Sequence, residues 1–375
     1  MPAPTAPTPP SELAIRTSPL AGWVLVPFLA AGLLSCVWLM VKGPVSFLPP
    51  KVDSDMLLHG DVTHRFAKEL SKAPMAIEAA NLERGASWLV FSDTGPRVRQ
   101  GCPGWLFISD ELKLNRHAED NARTKADAVI DLKKQLGLRG IDLQVVVVPD
   151  KTRIAAAQRC GVYRPAVLEG RVQQWTTLLQ AAGVEALDLT DTLKPLGPDA
   201  FLRTDTHWSE IGSNAGARAV AQRIQQRGIQ ATPEQAFDIT QAPLAPRPGD
   251  LVRLAGLDWL PPKLQPVGEQ VAASTAHEKG PAASSNPDDL FSDAGLPNVA
   301  LIGTSFSRNS NFVGFLQKAL NAPVGNFSKD GGEFSGAAKA YIDSPAFKQT
   351  PPKLLIWEIP ERDLQTPYDP IKISQ

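Results

Sequence analysis

From Gly22 to Val41 the chain reads GWVLVPFLAAGLLSCVWLMV, a run whose only ionisable group is the Cys36 thiol. At about 1.5 Å per residue, a helix of that length just crosses a hydrocarbon core of about 30 Å. A buried core helix is seldom apolar on every face, so the run reads as one membrane span. Everything after it must then fold on one side of a bilayer. Pro27 marks a place where the span can kink. Charge bias does not choose the side, because Arg16 and the amino terminus precede the run while Lys42 and Lys51 follow it. A cleaved signal peptide fits less well, since no small-x-small site closes the run. A lipoprotein signal ending at Leu34-Ser35-Cys36 would leave Val37-Trp38-Leu39-Met40 as an unusually apolar mature start.

The organisation expected from this start is a disordered tail over 1–21, rich in Pro, Ala and Thr, and a transmembrane anchor over 22–41. A stalk and helical lead-in over 42–85 then precede a large folded domain over 86–375. Within that domain, 261–297 turns rich in Pro, Ala, Ser and Gly and reads as a surface insertion. The body is long enough to bury a sizeable core. With 38 Lys and Arg against 39 Asp and Glu, and no basic run interleaved with aromatics, nucleic acid is excluded as a partner. Cys102 and Cys160 lie in the body. They are either a bridge closing a long loop or two separate buried thiols, and their spacing is not that of a metal site.

Short apolar runs recur through the body: Trp88–Phe91, Val145–Val148, Val184–Leu189, Val299–Ile302 and Leu354–Ile359. The valine run is continuously β-branched, which predicts a strand covered on both faces. Val129, Leu132 and Leu136 share one face of a helix that Gly137 and Gly140 end, and Leu178 and Leu179 belong to another that Gly183 ends. Strand and helix alternating in this way predict an α/β fold, a mostly parallel sheet flanked by helices. Ligands of such sheets bind beyond the carboxyl ends of the strands. Ser305 and Asp150-Lys151 both follow predicted strands directly.

Two segments about a hundred residues apart hold the parts of an acyl-transfer site: Thr204-Asp205-Thr206-His207-Trp208 and Leu301-Ile302-Gly303-Thr304-Ser305. A serine hydroxyl becomes a nucleophile when an imidazole takes its proton, and the imidazole needs a carboxylate to hold its tautomer. Asp205 and His207 are two apart, so in an extended segment they share a face. Ser209 is placed to cap a helix over Ile211–Ile224, and that alternative makes His207 an ordinary residue before a helix. Gly303 offers backbone freedom at a strand-to-turn corner, and Phe312, Phe315, Leu316 and Leu320 predict a helix after it. Backbone N–H groups around Gly303 and Thr304 are candidates for an oxyanion site. Trp208 is either core or a platform for a sugar face. His59, His64, His117 and His277 sit in polar stretches and read as solvated.

Gly104-Trp105-Leu106-Phe107, Val148-Pro149-Asp150-Lys151, Thr204–Trp208, Gly303–Ser307 and Trp357-Glu358-Ile359-Pro360-Glu361-Arg362 occur in order. Together they resemble the AlgJ/AlgX family of alginate O-acetylation proteins, over about Trp88 to Leu364. The resemblance implies an SGNH-hydrolase-like fold and a Ser305, His207, Asp205 triad. It implies acetyl transfer onto a hydroxyl of an exported polysaccharide, alginate or a related exopolysaccharide, with no cofactor and no metal. It also implies an inner-membrane signal anchor with the body in the periplasm, and a membrane-bound O-acyltransferase partner that passes the acetyl group outward. Lys151 and Arg362 are candidate polysaccharide or structural contacts, Arg362 being otherwise an ion-pair partner for Glu358 or Glu361. The chain stops soon after Leu364, closer to the membrane-anchored AlgJ type than to AlgX. Cys102-Pro103 stands where the family more usually has an acidic residue before the glycine. An acetyl esterase with the same triad and a non-catalytic assembly protein of a secretion complex are the alternative readings.

Overall fold

The computed structural model describes residues 18–42, 52–280 and 295–367, in two compact units spanning Met1–Ala86 and Ser87–Gln375. In the first, helix α1 (Pro19–Lys42) contains the whole apolar run and continues through Pro27. It is long and apolar enough to cross a membrane. The tail up to residue 17 lies outside the described residues, and the helix begins two residues before the expected end of that tail. Part of the expected stalk, 43–51, also lies outside them. Helices α2 (Ser54–Leu58) and α3 (Asp61–Leu70) follow, with Asp53 capping α2 by accepting the Met56 N–H at 2.8 Å. Helix α4 (Pro74–Phe91) leads into the second unit. Trp88–Phe91 is therefore the last turn of a helix and not a strand. Four apolar residues cannot report their own period, and the Ala, Leu, Glu and Arg before them propagate helix with no breaker until Asp93.

The second unit opens with an antiparallel pair, β1 (Val98–Gln100) and β2 (Leu106–Ile108). Next come α5 (Ala118–Gly137), β3 (Asp142–Val148), α6 (Lys151–Ile154), α7 (Arg171–Ala181), β4 (Glu185–Asp188) and α8 (Thr190–Leu193). After α9 (Glu210–Gln226) the chain forms β5 (Phe237–Gln241), β6 (Ala245–Arg247), α10 (Asp250–Leu254), β7 (Glu269–Val271) and β8 (Ser274–Glu278). It closes with β9 (Val299–Ile302), α11 (Phe312–Leu320), β10 (Gly325–Asn326), α12 (Gly336–Ile342), α13 (Pro345–Gln349) and β11 (Leu354–Pro360). Five strands make the central sheet in the order β10-β9-β11-β3-β4, and every neighbouring pair is parallel.

Strand alternation divides the core. Val145, Val147, Leu355, Trp357 and Ile359 face α5, α7, α12 and α13, packing on Val129, Leu132, Leu136, Trp175, Leu179 and Phe347. Val146, Val148, Leu301, Leu354 and Ile356 face the other way, onto α9 and α11, meeting Val220, Ile224, Phe312 and Leu316. Each such aliphatic side chain contributes about 1.5–3 kcal/mol when fully buried, so both faces of the valine run are needed. The 261–297 stretch is not all surface excursion: β7 pairs with β6 and β8 with β5, while 281–294 lie outside the described residues. Its Pro-rich composition conceals two strands too short to show a period.

The carboxyl ends of β9, β11 and β3 lie side by side, delivering Gly303–Ser305, Glu361 and Asp150-Lys151 to one end of the sheet. Behind that end sits a buried ionic cluster. The Glu361 carboxylate accepts from Arg153, Arg164 and Arg171 at 2.7–2.9 Å, and Asp150 accepts from Arg164 and Arg171. Burial alone would push Glu361 up, but the three guanidiniums outweigh it and hold the carboxyl near about 2, against an ordinary 4.5. A carboxyl depressed on folding adds stability above its unfolded value, lost as pH falls towards the folded one. That difference is worth about 3 kcal/mol. The expected outcome is a drop in chemical-denaturation stability between about pH 4.5 and 2, flattened in that window by Glu361→Gln. That variant should also unfold more easily at neutral pH, because it leaves buried guanidiniums underpaired.

Candidate active site

Asp205 and His207 lie in a tight bend between Phe201 and Trp208, which form an isolated antiparallel bridge. The bend is closed by Leu202 N–H donating to the His207 carbonyl at 3.1 Å and Ser209 N–H to that of Ala200 at 2.9 Å. The expected extended segment is thus a turn. Asp205 Oδ1 accepts the His207 backbone N–H at 3.0 Å and lies 2.6 Å from Nδ1, the i to i+2 capture at which aspartate is proficient. Ser209 does cap α9, accepting the Gly212 N–H at 3.1 Å. Capping and the His207 pairing are consecutive features of one turn, not alternatives.

His207 Nε2 lies 2.7 Å from Ser305 Oγ. The three side chains make one hydrogen-bonded line, with His207 and Ser305 separated by 98 residues of sequence. His207 and Asp205 are buried, at 6% and 4% exposure, while Ser305 is half-buried and opens onto solvent. Burial would push Asp205 up, but its His207 hydrogen bonds and charge outweigh that and hold the carboxyl well below the usual range. It stays ionised through the neutral range. Neutral His207 then carries its proton on Nδ1 and turns a lone pair to the hydroxyl.

Ser305 begins a short 3-10 turn after β9, capped by Thr304, whose hydroxyl accepts the Phe306 N–H at 3.3 Å. The turn is held from below by Glu358 in β11. Its carboxylate accepts Thr304 N–H at 2.7 Å, Thr304 Oγ1 at 3.1 Å and Ser307 Oγ at 3.0 Å. Burial pushes Glu358 up, and these donors pull against it. Gly303 is required for space and not for backbone freedom: a Cβ there would lie 2.5 Å from Glu358 Oε2 and 2.9 Å from Ser307 Oγ. The Thr304 N–H is committed to Glu358, so Thr304 is not an oxyanion donor. The Ser305 N–H, at the start of the 3-10 turn, is a backbone donor beside the hydroxyl.

Three expectations left open by the sequence can be placed. Trp208 is wholly buried, packed on Phe306 and Phe312 with Nε1 donating to the Phe306 carbonyl at 3.1 Å, so it is core and offers no sugar platform. Lys151 is equally buried. Its ammonium donates to the carbonyls of Leu106, Arg203 and Asp205 at 2.7–2.9 Å and lies over the Trp105 and Phe107 rings. It holds the Asp205 turn and is closed to a polysaccharide. Arg362 makes no ion pair with Glu358 or Glu361, whose carboxylates are occupied as described. Its guanidinium lies 5.3 Å over the Phe306 ring. Phe306 in turn meets the His207 ring edge-on at 5.1 Å.

Arg362, Ser305 and Thr304 line a cleft of about 420 Å³ together with Asp110, Lys113, Asn115, Glu333 and Asp363. A larger groove of about 550 Å³ runs along α9 and α11 and does not include Ser305. Cys102 and Cys160 are bridged, with Cα atoms 5.1 Å apart, tying the loop before β2 to the segment after α6.

Sequence reasoning missed Glu358, Asp250, Arg247 and Asn309. Asn309 Nδ2 donates to the Ser305 carbonyl at 2.9 Å. Arg247 lies 3.7 Å from Asp205 Oδ2 and donates to Asn309 at 3.0 Å. Asp250 Oδ2 stands 3.7 Å from His207 Nδ1. Asp205, His207 and Asp250 are close enough together to suggest a metal site. Their lone pairs instead face N–H and O–H donors of Thr206 and His207, which suits proton chemistry better than a cation. A lone carboxylate inside the apolar run Leu354–Ile359 was a readable sign of a buried anchor. Nothing in the spacing marked Asp250.

Fold and site together define an SGNH-hydrolase-like protein. Residues 98–361 match the family described as an SGNH hydrolase-like domain, acetyltransferase AlgX, and the chain belongs to that family. It is 30% identical to a protein of Azotobacter vinelandii named "Probable alginate O-acetylase AlgJ", over 91% of this chain and 88% of that one. It is 33% identical to the Pseudomonas aeruginosa protein of the same name, over 84% and 82%. Among solved structures, the O-acetyltransferase domain of Pseudomonas putida AlgJ matches with a TM-score of 0.64 and 28% identity. That match covers 73% of this chain and 94% of the domain.

Gly303→Ala should strain the Ser305 turn against Glu358, costing about 1–3 kcal/mol and displacing the hydroxyl from His207. The check is thermal unfolding alongside acylation by a chromogenic acetyl ester. A larger proportional loss of acylation than of folded protein is expected.

Proposed function

We propose that this chain is an O-acetyltransferase that carries acetyl on Ser305 as an ester and passes it to a hydroxyl of an exported polysaccharide. The relatives' names make alginate the favoured acceptor. The observation that carries the proposal is the unbroken line from Asp205 through His207 to Ser305, with contacts of 2.6 and 2.7 Å.

In the first half-reaction His207 Nε2 takes the Ser305 proton as Oγ attacks the donor's acetyl carbonyl carbon. The tetrahedral oxyanion collapses, the leaving group departs with the proton from His207, and acetyl-Ser305 remains. In the second half, the acceptor hydroxyl gives its proton to Nε2 and attacks the ester. Collapse forms the sugar ester and returns the proton to Ser305 Oγ. Asp205 stabilises the imidazolium in both halves without itself taking a proton. Ser305 N–H and the Arg362 guanidinium, which shares the cleft with Ser305, are the donors assigned to the developing negative charge. The sequence of steps calls for no cofactor.

Helix α1 acts as a signal anchor in the bacterial inner membrane, with the body in the periplasm. The Cys102–Cys160 bridge supports that side, since such bridges persist in oxidising compartments. Acetyl-coenzyme A is absent there, so the donor is a membrane-bound O-acyltransferase that delivers acetyl across the lipid.

Full-length protein incubated with p-nitrophenyl acetate should yield an acetylated Ser305 peptide by mass spectrometry, lost in Ser305→Ala and slowed by about 10²-fold or more in His207→Ala. Added alginate oligosaccharide should draw acetate onto sugar. Release to water alone at every oligosaccharide concentration would make the protein an esterase. Acetyl transfer by Ser305→Ala would falsify the mechanism.

A further inference from the structure

A second carboxylate reaches His207 from a part of the chain that carried no sequence signal. The turn Gly249-Asp250-Leu251 lies directly against Thr204–His207. A Cβ on Gly249 would fall 1.9 Å from the Thr204 carbonyl oxygen, so only glycine permits the approach. Leu251 N–H donates to that same oxygen at 3.2 Å. Asp250 Oδ1 accepts Thr206 N–H at 2.7 Å, and Oδ2 accepts the Thr206 hydroxyl at 2.5 Å. Asp250 N–H reaches Asp205 Oδ2 at 3.4 Å.

The consequence lies at the imidazole. With its hydrogen committed to Asp250, the Thr206 oxygen can only accept, and it stands 3.3 Å from His207 Nδ1. Asp250 Oδ2 itself is 3.7 Å from that nitrogen. Nδ1–H therefore faces Asp205, Thr206 and Asp250, each an acceptor and two of them anionic.

We propose that Asp250 is a positioning residue for His207, one that fixes the Thr206 hydroxyl as an acceptor and adds a second negative charge to stabilise the imidazolium formed during acetyl transfer. The inference rests on the reading of His207 as the base. Burial and the Asp205 charge push Asp250 up, opposed by His207 and the Thr206 donors, so a positive charge on His207 relieves both acids. The other charged groups around Asp250 are Arg247, which lies against Asp205, Lys151 at the start of α6, and Arg362 after β11. None contacts Nδ1 in its place.

Asp250→Asn keeps the shape and removes the charge. With p-nitrophenyl acetate and the full-length protein, kcat should fall about tenfold with KM within about twofold. The acidic limb of the pH–rate profile should move to lower pH, because an imidazolium next to one fewer anion forms less readily. Thr206→Val keeps the charge but breaks the relay. It should lose some rate with the acidic limb in place. If Asp250→Asn leaves kcat unchanged, or if both variants lose rate equally with unmoved limbs, Asp250 is only a structural clamp and the proposal fails. Turnover that survives Ser305→Ala would instead sink the assignment of His207, a different result from an inert Asp250→Asn in a Ser305-dependent protein.

Discussion

Buried carboxylates that accept backbone N–H groups hold this site together. Glu358 takes the Thr304 N–H and so fixes the turn that presents Ser305, while Glu269 takes the Thr204 N–H and the half-buried Asp250 that of Thr206. Glu111 takes those of Lys151 and Thr152, and Glu361 that of Asp150. A buried acid without partners costs several kcal/mol. Each is satisfied here by donors from the turns around the site, so those turns cannot drift without leaving an acid short of partners. The triad geometry follows from this, because Asp205 and His207 belong to a turn that has no strand or helix of its own.

The sheet was legible because its strands are buried on both faces. Val145–Val148 and Val299–Ile302 read as continuous aliphatic runs and Leu354–Ile359 as an apolar run broken only by Glu358, and all three became parallel neighbours. Trp88–Phe91 was equally apolar yet helical, since what settled it lay in the helix-forming residues upstream. The two short strands Glu269–Val271 and Ser274–Glu278 were hidden because three to five polar residues carry no period, and their pairing is decided by partners elsewhere.

Within the site, Ser305, His207 and Asp205 were legible because their chemistry restricts which residue types can serve and because two of them are neighbours. The roles of Gly303 and Trp208 were not. Glycine permits both positive φ and close approach, and only the position of Glu358 decides between them. Trp208 beside a base looks like a substrate platform until Phe306 and Phe312 are found to cover it. Asp250 was unreadable for a different reason. Its effect on His207 passes through Thr206 across a contact of long sequence separation, and no local pattern encodes such a contact.

Lys151 makes the general point about charge. A lone ammonium just after a strand invites assignment as a substrate contact, yet its three hydrogen bonds go to main-chain carbonyls of two segments, and two aromatic faces close around it. Burial draws its pKa down to about 8, against the acids Glu111, Glu269, Asp205 and Asp250, which favour the charged form. Those are the carboxylates that anchor the loops. The cation therefore compensates the acids that the loops require, and in doing so it ties the Asp205 carbonyl to strand β2. Arg362 differs in one respect that matters: it lies over Phe306 at the cleft wall, beside Asp363 and Ser305. Of the two cations, only Arg362 has a guanidinium that a ligand entering beside Ser305 can reach.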